Sequence, residues 1–110
     1  WHEWRDEATP YHVGPSLVVR DGHLWVGDEA LTTIPPGVWV GLDIRARLGA
    51  GAGGTWDVTV SLPGVEARSF EGLANGSPAW QALRWVGFIS NGEGDSRFYI
   101  DTIGLTRTDE

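Results

Sequence analysis

Apolar side chains recur at every second position over short stretches of this chain, and no 3.6-residue period is sustained anywhere. Alternation of that kind marks half-buried strands. In VWVGLDIRARL (residues 38–48), Val40, Leu42, Ile44, Ala46 and Leu48 alternate with Trp39, Gly41, Asp43, Arg45 and Arg47. Successive strand side chains point to opposite faces, so the first set faces a core and the second faces outward. TWDVTVSL (55–62) repeats the pattern, with Trp56, Val58, Val60 and Leu62 inward and Asp57, Thr59 and Ser61 outward. SLVVR (16–20), HLWV (23–26), Ala30–Thr33, VEARSF (65–70), LRWVGFIS (83–90) and SRFYIDTIGL (96–105) read as further strands.

Turn chemistry separates these runs. Asp21-Gly22 between two strands is a hairpin signal. Ile34-Pro35-Pro36-Gly37 interrupts the pattern, because proline cannot donate to a central ladder. GAGAGG (49–54), Pro63-Gly64 and NGEGD (91–95) turn the chain, and EGLANGSPAW (71–80) reads as a loop in which Ser77-Pro78 starts a short helical turn. The sum is about eight short strands with no long helix and no repeat, which predicts an all-β, antiparallel two-sheet sandwich. One domain spanning 1–110 accounts for the length.

Composition narrows the function. The net charge of −7 argues against nucleic acid and anionic membrane surfaces, both of which call for a basic face. No apolar run reaches membrane-spanning length. The absence of cysteine excludes disulfides and thiolate metal sites. All eight basic residues are Arg, and the seven Trp and sixteen Gly stand out for a chain of this size. The chain opens on Trp1 and holds no Met, which reads as the product of processing or trimming.

The closing stretch, WVGFIS, a polar turn and then FYIDTIGL, is similar to the closing hairpin of concanavalin A-like jelly rolls. Carbohydrate-binding modules of that kind often end in F-Y-I-D or a near variant. WVGLDIRARLG, a Gly-rich turn and GTWDVTVSLPG resemble laminin-G-like and lectin/glucanase-like domains of secreted bacterial proteins, and YHVGPSLVVRDGHLWVG looks like an earlier hairpin of the same domain. The resemblance covers nearly the whole chain. It implies a jelly-roll sandwich that is secreted or on the cell surface and binds a poly- or oligosaccharide. Such domains usually begin earlier than WHEWRD, so the expectation is either a sandwich smaller than usual or one short of N-terminal strands, a module or fragment of a larger protein.

A sugar offers an apolar C–H face and a polar rim, so its site needs aromatic rings beside carboxylates and guanidiniums. Trp39, Asp43, Arg45 and Arg47 share the outward face of the 38–48 strand and are candidates, as are Tyr99 and Asp101 of the last strand. An ionised Asp101 accepts hydrogen bonds and donates none. Mid-strand it must therefore meet solvent, an Arg, backbone N–H groups or a cation. A structural Ca²⁺ would draw on oxygen ligands such as Asp28, Glu29, Glu93, Asp95 and Asp101, although their spacing is not diagnostic. Trp25 and Trp85 are further aromatic candidates for the sugar-binding face, although Trp85 shares the parity of Gly87 and Ile89, which suggests core rather than groove; Trp56 belongs to the core by parity, and Trp80 caps it beneath a loop. Trp1 and Trp4 form an edge strand or a surface aromatic patch.

Enzyme signatures are missing from the sequence. No strand carries the alternating acids of the glucanases, His2, His12 and His23 have no metal spacing, and no G-x-S-x-G elbow occurs. The reading is a non-catalytic carbohydrate-binding module without a required cofactor. The alternative is a structural or assembly domain that self-associates through sheet edges, since unpaired edges recruit strands.

Overall fold

The computed structural model describes residues 1–90 and 99–106. Among the described residues eight strands form two antiparallel sheets, the sandwich class that the alternation predicts. They are β1 (His2–Arg5), β2 (Val13–Arg20), β3 (His23–Val26), β4 (Glu29–Thr33), β5 (Gly41–Ala46), β6 (Thr55–Ser61), β7 (Arg68–Ala74) and β8 (Trp85–Phe88). One sheet runs β4-β3-β2-β1-β8 and the other β5-β6-β7.

Local chemistry explains most of this order. Asp21 and Gly22 close the β2–β3 hairpin as a two-residue loop with φ of 52° and 73°, the left-handed pair that matches strand twist. β6 turns Trp56, Val58 and Val60 inward, exposed by only 1%, 1% and 3%. They meet Leu17, Leu24 and Ile34 from the larger sheet and its exit, and this cluster is the core. Trp56 is also tied by its indole, whose Nε1 donates to the Ala74 carbonyl at 3.0 Å. Trp80 is buried as well, beneath the loop that precedes β8.

Three expectations change. β7 begins later than the 65–70 run and continues through Glu71–Ala74, which reads as a loop in the sequence. The cause is a β-bulge: the register shifts between the Trp56–Leu73 and Val58–Phe70 pairs, Gly72 takes φ 68°, and its N–H donates to Asp57 Oδ1 at 2.9 Å. A glycine that suggests a break is here the extra residue of a continuing strand. β1 is not an edge strand; it pairs with β2 on one side and β8 on the other. Finally, residues 99–106 form no strand. Tyr99, Ile103 and Leu105 are 77%, 73% and 66% exposed. Residues 96–98 of the expected last strand, and Glu93 and Asp95, lie outside the described residues.

On β5 the alternation holds, with Ile44 and Ala46 half-buried and Asp43 and Arg45 exposed, yet Leu42 of the inward set remains 40% exposed because β5 is an edge. Truncating Trp56 to Ala removes the largest inward side chain at the layer interface. It is expected to cost about 3–5 kcal/mol, read as a lowered urea midpoint.

Candidate functional site

β1 pairs with β2 and β8, which sets two rows of side chains across three strands. His2 stands opposite Leu17 and Phe88, and Trp4 opposite Val86; with Leu17 in the core, this row faces inward. Glu3 stands opposite Ser16 and Gly87, and Arg5 opposite Trp85, so Glu3 and Arg5 head the outward row.

Glu3 is only 4% exposed although it lies on the outer face, because neighbours cover it. Its Oε2 accepts from Arg5 Nε at 2.6 Å, and its Oε1 accepts from Trp1 Nε1 and from Ser16 Oγ, both at 3.1 Å. A buried carboxylate is tolerable only when so satisfied. The Arg5 guanidinium lies between two rings, its carbon 4.2 Å from the centre of Tyr11 and 4.1 Å from that of Trp85. Cation–π attraction holds this stack. Gly87 makes room for it, since a Cβ there would lie 2.3 Å from the Trp85 ring.

Tyr11 is delivered by the β1–β2 loop, which the Asp6 carboxylate closes. Oδ1 accepts from the N–H groups of Ala8 at 3.1 Å and His12 at 2.8 Å, and Oδ2 meets His12 Nδ1 at 2.7 Å. These bonds, the one from the His12 backbone foremost, hold the Asp6 carboxyl below its ordinary value. The loop closure is therefore complete above the ordinary carboxylate range and is lost as pH falls through the lowered value. An ionised carboxylate can only accept, so His12 Nδ1 carries the proton and Nε2 is left to the adjoining polar cleft of about 320 Å³, lined also by Glu7, Gln81 and Arg84. Asp6 and His12 thus act as a loop staple.

The outer surface of β1 and β8 combines three partly exposed rings, Trp1, Tyr11 and Trp85 at 37%, 48% and 39%, with a guanidinium whose Nη groups bind no protein acceptor among the described residues. Farther along the same face Trp25 packs under Arg20 at 4.6 Å and donates to the Arg20 carbonyl. Apolar ring edges bounding fixed donors are suited to a neutral ligand rich in hydroxyl groups.

The six residues singled out from the sequence fall elsewhere. Asp43 and Arg45 sit on the outer face of β5 and pair loosely at 3.4 Å. Around them lie the Thr59–Ser69 hydroxyl pair at 2.9 Å and Asp57. Trp39, 61% exposed, precedes β5, and Arg47 follows it. Tyr99 and Asp101 lie in the segment outside the sheets, and Asp101 Oδ1 accepts from the Thr102 N–H at 2.8 Å. No ring contact or ion pair joins Trp39, Arg47, Tyr99 or Asp101 to Asp43 and Arg45. Among the described residues no three His, Asp or Glu side chains come together as metal ligands.

The sequence reading missed Glu3, Arg5, Tyr11 and Ser16. It pairs Trp85 with Gly87 correctly, but assigns them to the wrong face. The signal was present in WHEWR, where Trp1, Glu3 and Arg5 alternate with His2 and Trp4.

Comparison of the chain with protein-family models, with characterised proteins and with solved structures finds no match.

Two outcomes follow from the β1 contacts. Glu3→Ala leaves Arg5 without its counter-charge and is expected to cost about 3 kcal/mol in urea unfolding. His2 accepts from Trp4 Nε1 at its Nε2 and meets the Gly87 carbonyl at its Nδ1, each at 3.0 Å, a network that assigns the neutral ring with the proton on Nδ1. Burial lowers its pKa, more than the Gly87 bond raises it. The folded value thus lies below the unfolded one of about 6.5, so the contribution to stability is full above that pH and is lost as pH falls through the folded value. Unfolding midpoints of the wild type should drop as pH falls from about 6.5 towards the lowered folded value, and His2→Gln should flatten the drop.

Proposed function

We propose that this chain is a non-catalytic carbohydrate-binding module of a secreted or surface protein, and that its glycan lies on the outer face of the five-stranded sheet over Tyr11, Arg5 and Trp85. The observation that supports this reading is the Arg5 guanidinium set between two aromatic rings, each more than a third exposed, and anchored from below by a buried Glu3. The anchor fixes Nε and leaves the terminal N–H groups for ligand hydroxyls, while the ring surfaces accept sugar C–H groups. The strand patterns that resemble concanavalin A-like jelly rolls point the same way.

The opposite outer face, on β5–β6–β7, is hydroxyl- and carboxylate-rich and carries no ring among its paired strands' outward positions. Without an apolar platform a sugar gains little there over water.

Binding to a broad set of poly- and oligosaccharides, scored by glycan array and affinity electrophoresis, tests the proposal. Tyr11→Ala and Trp85→Ala are expected to weaken binding about tenfold each, or about 1.4 kcal/mol, with the far-ultraviolet spectrum unchanged and Trp39→Ala without effect. Loss at Trp39→Ala alone would move the site to the smaller sheet. Failure to bind any glycan would end the carbohydrate reading.

A further inference from the structure

The two layers differ in width, and the side on which they differ can be located. β6 lies against β2. On one flank Arg68 of β7 donates to Thr32 Oγ1 of β4 at 3.4 Å, so β7 lies over the β4 end of the larger sheet. β5 must then lie toward β1 and β8, and the Gly49 N–H just beyond β5 donates to the Gln81 carbonyl on the approach to β8 at 2.7 Å. Past β5 no strand among the described residues covers the larger sheet. Val86 and Phe88, in the inward row of β8, are 43% and 42% exposed as a result. β5 itself pairs only with β6 among the described strands, so its outer edge presents free backbone N–H and C=O groups.

The same chain carries a segment with the opposite problem. Tyr99, Ile100, Ile103 and Leu105 are exposed and belong to no ladder. Thr102 adopts φ 53°, a conformation that a β-branched residue occupies only under strain. Pairing as a strand would extend that residue, satisfy the backbone of β5 and put apolar surface over Val86 and Phe88. Ile100 lies on one side of the alternation and Tyr99, Ile103 and Leu105 on the other, so apolar side chains cover the gap whichever side turns in.

We propose that a second copy of this chain fills the gap, each copy adding its Tyr99–Leu105 segment as a strand along β5 of the other. The copy's own segment lies off the ladder here, which leaves its β5 edge open to a neighbour. With one donor segment and one acceptor edge per chain, two copies that exchange both ways leave no edge open and close as a twofold dimer, whereas a one-way exchange would run on as an open chain. When Ile100 turns in over the gap, Asp101 of the incoming strand faces outward, on the side of β5 that carries Arg45 and Arg47.

Size-exclusion chromatography with light scattering on the full chain, across a wide concentration range, tests this. The expected result is a concentration-dependent species of twice the monomer mass. Ile100→Asp combined with Ile103→Asp should return it to monomer while tryptophan fluorescence and the far-ultraviolet spectrum stay unchanged, since neither side chain touches the core cluster. Hydrogen exchange should show residues 41–46 and 99–106 becoming protected together as the dimer forms. A strict monomer at every concentration overturns the proposal, and so does a dimer indifferent to the double substitution. A monomer whose 99–106 amides are already protected overturns it too, by showing the segment docked on its own chain.

Discussion

A sheet of three strands cannot cover a sheet of five. With neighbouring strands about 4.8 Å apart, the smaller layer falls short by roughly the width of two strands, and the arrangement of buried and exposed surface follows from where that shortfall lies. Over β2, β3 and β4 the layers meet, and there Trp56, Val58 and Val60 seal against Leu17, Leu24 and Ile34. Toward β8 the inner row loses its cover, and both sides of one strand meet water: Trp85 on the outer face, Val86 and Phe88 on the inner. Even the cleft of about 240 Å³ between Thr32, Val60, Leu62 and Arg68 marks the opposite margin, where β7 ends its overlap with β4.

The fold was legible wherever local chemistry decides it. A period of two in 55–62 identifies β6 and its inward face, and Asp21-Gly22 identifies the hairpin with its loop length. Legibility failed where pairing is remote. His2–Arg5 reads as marginal because its β8 partner lies more than eighty residues away, and only that partner turns a short polar run into an interior strand. Glu71-Gly72 reads as a break because the Asp57 carboxylate that stabilises the bulge sits on another strand. The last strand reads well from its own alternation, yet a strand exists only with a neighbour, and residues 99–106 pair with none among the described residues.

The candidate site was hidden for a similar reason. Asp43, Arg45 and Arg47 announce themselves along one strand, whereas Arg5, Tyr11 and Trp85 come from a strand, a loop and a distant strand. Their meeting needs the β1–β8 register, the closure of the 6–12 loop and a residue without a side chain at Gly87. Trp85 illustrates the point: parity ties it to Gly87, but which face that row occupies is set by Leu17, opposite His2. Parity separates the two rows of β8, but without the partner strand in view it points Trp85 to the wrong face.

The Asp6 carboxylate, with its three donors from Ala8 and His12, bears on recognition although it lies outside the aromatic stack. A loop that must be caught from many conformations loses chain entropy each time a ligand arrives, and that loss weakens the affinity. Here the loss is taken during folding, so Tyr11 is already seated on Arg5 before anything approaches. The surface that Tyr11 helps to form is a preset mould, and its selectivity rests on shape held in advance.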